Sequence, residues 1–148
     1  MKTSVAKAVW QGNLAKGTGM IRLNTTGYET PYNAASRFEN GKETNPEEFI
    51  AAAHAACFSM ALANELSKKG FIPDDVTTEG HVSMDRDEKG PFISRILLST
   101  SVKAEGLDER TFQEIAEGAK KNCPVSKALS AVKIELKATL LQTVKNPA

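Results

Sequence analysis

Asn45-Pro46-Glu47-Glu48-Phe49-Ile50-Ala51-Ala52-Ala53-His54-Ala55-Ala56-Cys57-Phe58-Ser59-Met60-Ala61-Leu62-Ala63-Asn64-Glu65-Leu66-Ser67-Lys68-Lys69-Gly70 reads as one long helix. Asn45 supplies an N-cap, Pro46 occupies the first helical position, and Glu48 stands where a capping box needs its acid. No proline or glycine intervenes before Gly70, which supplies the stop. About 24 residues at 1.5 Å each give roughly 36 Å, twice an average helix. The middle, from Ala51 to Ala63, is apolar nearly all round, which marks a helix surrounded by protein on most sides. Its many alanines permit close helix approach.

Outward from this helix, strands and helices fall in separate runs. Residues 4–10 and 17–24 form a hairpin about Gln11-Gly12-Asn13, and residues 25–45 read as irregular. Residues 75–86 and 92–104 form a second hairpin, turned by Asp87-Glu88-Lys89-Gly90-Pro91. Asp108 caps a helix with Leu107 and Phe112 at staple spacing and Phe112, Ile115, Ala116 and Ala119 on one face. Cys123 then precedes Pro124 and a short helix, at or just before its N-cap. In the last strand Val132, Ile134, Leu136, Ala138 and Leu140 alternate with Lys133, Glu135, Lys137 and Thr139, so one face is buried. This order predicts an α+β fold with an antiparallel sheet around a long central helix. Modest strands cover only one face of such a helix, so a second subunit is expected over the rest.

The 148 residues fit one domain, 1–148, with no repeat, linker or low-complexity tract. Lys and Arg number 19 against 18 Asp and Glu, so the charge balance gives no reason to expect nucleic acid or an anionic membrane as partner. The start lacks the apolar run of a signal peptide, and no later unbroken run approaches the roughly 20 residues of a membrane span. The expected location is the cytoplasm. In that reducing compartment the chain's two cysteines are redox-active, metal-binding or merely buried rather than a standing disulfide.

Four residue types could carry chemistry. Cys57 lies mid-helix, where a free cysteine ordinarily behaves as a small hydrophobe. Cys123 lies at a helix start, where N–H groups favour a thiolate. The sequence spacing is no CxxC motif, so only the fold can bring them together. Arg37 sits in the irregular segment as an ordinary surface charge, yet a guanidinium against a thiolate would favour its ionisation and steady charge as an O–O bond breaks. Glu47 and Glu48 both serve as first-turn acids on the helix dipole. His54, one turn before Cys57, would suit a Cys/His metal pair or an activated nucleophile if a third group stood nearby; with only His81 left, a satisfied core or interface histidine is the expectation. No G-x-S-x-G elbow or glycine-rich phosphate loop is present.

On the motifs Arg37-Phe38-Glu39, Thr44-Asn45-Pro46-Glu47-Glu48, Ala52-Ala53-His54-Ala55-Ala56-Cys57-Phe58-Ser59-Met60-Ala61-Leu62 and Asn122-Cys123-Pro124-Val125-Ser126, the chain resembles the OsmC/Ohr family over nearly its whole length, and its OsmC branch in detail. The resemblance implies an intertwined homodimer with its long helices paired and two sites at the subunit interface. It implies thiol-dependent reduction of organic hydroperoxides to alcohols, with Cys57 peroxidatic, Cys123 resolving through an intrasubunit disulfide, and Arg37 and Glu47 as the charged pair. It implies an external dithiol reductant, of the lipoyl type, and no metal or organic cofactor. Helix-start position alone would favour Cys123 as the reactive thiolate; the resemblance assigns Cys57. Ten residues of helix would set Glu47 about 15 Å from Cys57 of its own chain, so Glu47 is expected to act across the dimer. Two other readings stand beside this one. One is a non-catalytic stress protein that binds small molecules in an apolar dimer cleft; the other is a cysteine-dependent hydrolase built on Cys57 and a histidine.

Overall fold

The computed structural model describes residues 1–142, and the chain divides into two compact units, Met1–Phe49 and Ile50–Ala148. In the first unit, strands β1 (Ala6–Gln11), β2 (Thr18–Leu23) and β3 (Glu29–Tyr32) form an antiparallel sheet in that order. Gly19 of β2 has no Cβ to fill the space taken by the Tyr32 and Trp10 rings, whose centroids lie 5.4 Å apart. A short helix α1 (Ala34–Phe38) follows. Both β3 and α1 fall where the sequence predicts irregular chain. β3 has four residues and contains Pro31, which an edge strand tolerates. α1 is held by side chains rather than by periodicity: Asn33 Oδ1 accepts from Ser36 N at 2.8 Å, and Ser36 Oγ accepts from Glu43 N at 2.8 Å. Asn45 Nδ2 donates to Ser36 O at 2.7 Å, tying this segment to the start of the long helix.

That helix, α2 (Pro46–Lys68), runs 23 residues without a break. Asn45 Oδ1 caps it by accepting from Glu48 N at 2.8 Å. The Glu48 carboxylate takes the Thr44 hydroxyl at 2.7 Å, so the reciprocal half of the expected capping box is replaced by a neighbouring donor. At the far end Phe71 N donates to Leu66 O at 3.0 Å across Gly70, whose φ of 86° is the left-handed conformation that glycine adopts freely. By length and composition alone α2 could cross a bilayer. Counting unbroken apolar runs misses this, because His54, Ser59 and Asn64 interrupt the apolar stretch. Phe58, Leu62 and Leu66 serve a protein core instead.

In the second unit, β4 (Asp75–Asp87) and β5 (Gly90–Lys103) are antiparallel, with the register shifting between Ser83 and Met84. After α3 (Glu109–Asn122) and α4 (Pro124–Ala128), β6 (Lys133–Leu141) pairs with β5 in parallel. The α+β class is as expected, but the sheet is mixed rather than wholly antiparallel. The segment between β5 and β6 carries two helices, which is the crossover that parallel neighbours need. Strand alternation reports which face is buried and is silent on direction, so the sequence could not distinguish the two.

The core sits here. Phe58, Leu62 and Leu66 of α2 pack with Ile96, Leu98 and Val102 of β5 and with Phe112, Ile115, Ala116 and Ala119 of α3. Asp108 caps α3 by accepting from Thr111 N at 2.9 Å. Close approach of α2 to β4 is possible because Gly80 has no side chain: a Cβ there would lie 2.6 Å from the carbonyl oxygen of Ala51. On another side of α2, Ala52, Ala53, Ala56 and Met60 are exposed, Met60 at 75%. The protein surroundings expected on most sides of α2 are therefore incomplete in a single chain.

Candidate active site

Cys57 projects from the middle of α2 and Cys123 stands at the N-cap of α4, where Pro124 fills the first helical position. The fold brings their sulfurs to 3.0 Å as free thiols. They differ in access: Cys57 is half-buried, whereas Cys123 has 0% exposure. Ser126 N, three residues on, points at Cys123 Sγ from 3.5 Å.

The two sulfurs share their protons unequally. Burial pushes the Cys57 thiol up, and the neighbouring Cys123 adds to this, against a backbone hydrogen bond from Val125. Burial acts on Cys123 in the same sense, but hydrogen bonds from Cys57, from the amide and hydroxyl of Ser126 and from the Val125 amide outweigh it and hold that thiol below its ordinary value. At 3.0 Å the two thiols are linked, and their protons are lost in two coupled steps. Cys123 is the more acidic of the two, as its helix-start position predicts, while the sulfur open to a small molecule is Cys57.

Arg37 and Glu47 form a second pair, within the first unit. Arg37 Nη2 and Nε both donate to Glu47 Oε1, at 2.8 and 3.1 Å. The Glu47 side chain is 9% exposed, so its carboxylate is held in place by that guanidinium. The Phe38 ring lies 5.4 Å from the guanidinium carbon, and a cleft of about 200 Å³ lined by Trp10, Leu14, Tyr32, Arg37 and Pro46 opens beside it. An apolar cleft with one fixed cation is a suitable surface for an organic molecule that carries a polar end. Glu48, the other first-turn acid, is exposed, and its carboxylate accepts from the Thr44 hydroxyl.

His54 is fully buried one turn before Cys57. Its Nε2 lies 2.7 Å from Ser126 Oγ, while Nδ1 is buried without a partner among the described residues. The expectation of a satisfied core histidine therefore holds for one ring nitrogen only. Burial lowers its pKa and keeps the ring neutral. His81 is exposed on β4, 3.3 Å from Glu79. Among the described residues no group of three His, Cys, Asp or Glu side chains could hold a metal ion. Sequence reasoning missed Ser126. The signal available was its place three residues after an N-capping cysteine, where a side chain folds back toward the cap.

Residues 39–137 match the family model described as OsmC-like protein. The chain is 43% identical over 126 residues to the peroxiredoxin OsmC of Escherichia coli K12, covering 84% of this chain and 88% of that one. Among solved structures, the organic hydroperoxide resistance protein OhrB of Bacillus subtilis is similar at 30% identity with a TM-score of 0.65, over 93% of this chain and 98% of that chain. An OsmC-like protein of unknown function from Vibrio cholerae, at 14% identity, shares the fold with a TM-score of 0.74 over 93% of this chain and 99% of its own.

Proposed function

The chain belongs to the OsmC-like protein family, and from that premise we propose that it is a thiol-dependent peroxidase that reduces organic hydroperoxides to alcohols in the cytoplasm. The observation that carries this reading is the pair of free sulfurs 3.0 Å apart, one open and one sealed. With the shared proton on Cys123, the Cys57 thiolate attacks the distal peroxide oxygen. The O–O bond breaks, the alkoxide takes a proton and leaves as alcohol, and Cys57 is oxidised to a sulfenic acid. The Cys123 thiolate then attacks the Cys57 sulfur, an S–S bond forms, and hydroxide leaves and is protonated to water. An external dithiol, of the lipoyl type in this reading, returns two electrons and releases both thiols.

The exposed row Ala52, Ala53, Ala56 and Met60 supports a homodimer, because two alanine-rich helices can pack closely about a two-fold axis. In this proposal residues 1–148 act as one domain that a second copy completes. α2 does not break between Glu47 and Cys57, so Arg37 and Glu47 serve the sulfur pair of the partner subunit rather than their own. There the guanidinium draws negative charge onto Cys57 and stabilises the departing alkoxide.

The test is a count of free thiols before and after one equivalent of an alkyl hydroperoxide. The expected result is loss of both thiols and appearance of one equivalent of alcohol, with turnover once a dithiol is added. Intact thiols after exposure to the peroxide would overturn the proposal and return the cysteines to the status of packing residues.

A further inference from the structure

The reaction just described makes no use of His54 or Ser126. Yet His54 is a titratable side chain at 0% exposure, and one of its nitrogens has no partner among the described residues. Buried polar groups are nearly always paired, so an orphan beside a core made largely of Phe, Leu, Ile, Val and Ala calls for a reason. The neutral ring has one N–H to place. On Nδ1 it would be a buried donor with nothing to receive it; on Nε2 it points at Ser126 Oγ, 2.7 Å away, and leaves Nδ1 as a bare acceptor. Orphaned donors are the rarer of the two, so Nε2 carries the hydrogen and Ser126 Oγ accepts it. Ser126 is thereby anchored through its side chain beside the Cys123 sulfur. The Ser126 amide converges on the same sulfur from 3.5 Å.

We propose that His54 and Ser126 are positioning residues for disulfide closure: a donor chain in which His54 Nε2–H holds Ser126 Oγ, and the Ser126 N–H so held points at Cys123 Sγ and stabilises negative charge on the resolving sulfur. This rests on the assignment of Cys57 as peroxidatic and Cys123 as resolving. In the step concerned, Cys123 S⁻ attacks the Cys57 sulfur and the S–OH bond breaks. Hydroxide departs and is neutralised by the proton that Cys123 gave up when it ionised. The Cys57 sulfur is reduced as the Cys123 sulfur is oxidised. The chain has an opposite effect on the first step. Charge drawn to Cys123 is charge withheld from Cys57, so the same donors restrain peroxide attack and speed resolution. His54 and Ser126 thus balance the two half-reactions against each other, and they shorten the time for which the sulfenic acid is exposed to a second peroxide.

The experiment is a single-turnover series on the full-length protein with tert-butyl hydroperoxide, in which sulfenic acid, disulfide and sulfinic acid are resolved by mass spectrometry over time. Ser126→Ala removes one oxygen and His54→Leu removes the donor at its source. In both, sulfenic acid should form at least as fast as in the unmodified protein. Closure should slow between about tenfold and a hundredfold, the worth of a hydrogen bond to a charged group. Sulfinic acid should accumulate. His54→Gln, which keeps a donor N–H, should restore most of the closure rate, and it does so only if the hydrogen bond matters rather than the ring. Equal slowing of both steps in Ser126→Ala, or closure at the original rate, would overturn the donor chain alone. Should His54→Leu fail to fold, Ser126→Ala and His54→Gln decide the matter. Stoichiometric peroxide consumption by Cys57→Ser would overturn the role assignment and the donor chain with it.

Discussion

Gly80→Ala is the smallest change that tests whether the seat of α2 on β4 sets the chemistry. The added Cβ would lie 2.6 Å from the Ala51 carbonyl oxygen, 3.1 Å from its Cα and 3.2 Å from its carbonyl carbon. Carbon atoms pack at about 3.5–4.0 Å, and all three neighbours are backbone, so no rotamer change relieves the clash. Helix and strand must separate by about half an ångström to one ångström. Overpacking of this kind costs about 1–3 kcal/mol, which lowers a urea midpoint by about 1 M at ordinary slopes. A helix moves as a stiff rod, and Ala51 lies one turn before His54. The displacement therefore reaches the 2.7 Å bond from His54 to Ser126 and the 3.0 Å contact between Cys57 and Cys123. Misplacement by 1 Å can cost about a hundredfold in rate, so disulfide closure should fall by more than the stability loss alone would give. The assay pairs urea unfolding with single-turnover closure. Gly118→Ala in α3 is the control: a Cβ there meets nothing within 4 Å, and it should stabilise by about 0.5–1 kcal/mol with closure unchanged. If Gly80→Ala unfolded at the original midpoint and closed its disulfide at the original rate, the contact between α2 and β4 would be too loose to position either sulfur.

Cys57→Ser should abolish peroxide turnover, whereas Cys123→Ser should consume about one equivalent and stall at an acid that further peroxide overoxidises; thiol and sulfinic acid counts decide, and equal residual activity would refute the roles. Mixing Glu47→Ala chains with Cys57→Ser chains should restore activity absent from either homodimer, since some heterodimers then hold one complete site; a fully active monomer at high dilution would refute both the dimer and the sharing of residues across it. Acidification should destabilise the protein through His54. Burial holds its folded pKa below 6.5, so just under that value the unfolded chain binds a proton that the folded chain does not, and stability falls until the folded value is passed. His54→Gln should flatten this part of the stability–pH curve measured by denaturant titration.

What was legible in the sequence was local chemistry. Asn45, Gly70, Asp108 and Cys123 mark helix ends through their own side chains or backbone, and each does so where expected. β3 and α1 were not legible, because four and five residues carry no period and their support comes from Asn33, Ser36 and Asn45 reaching across the segment. The direction of β6 was hidden for a different reason: Val132 to Leu140 alternate identically whichever way the neighbour runs. Among candidate site residues, Cys57, Cys123, Arg37 and Glu47 could be singled out by type and motif. Their distances could not, since the cysteines are 66 residues apart and the charged pair ten. The bond between His54 and Ser126 spans 72 residues and joins two side chains that each have an ordinary local explanation.

The parallel pairing of β6 with β5 also fixes when in the life of the chain the sulfurs can meet. Cys123 lies inside the crossover that joins β5 to β6, and a contact so distant in sequence needs a long loop to close. During synthesis the 66 residues that separate Cys123 from Cys57 take about 3 to 13 s to emerge at 5–20 residues per second. Through that interval Cys57 is an unpaired thiol on a nascent helix, with no neighbouring sulfur to share its proton and none to close upon. A chain stalled within that interval carries Cys57 with no second sulfur on which to close a disulfide.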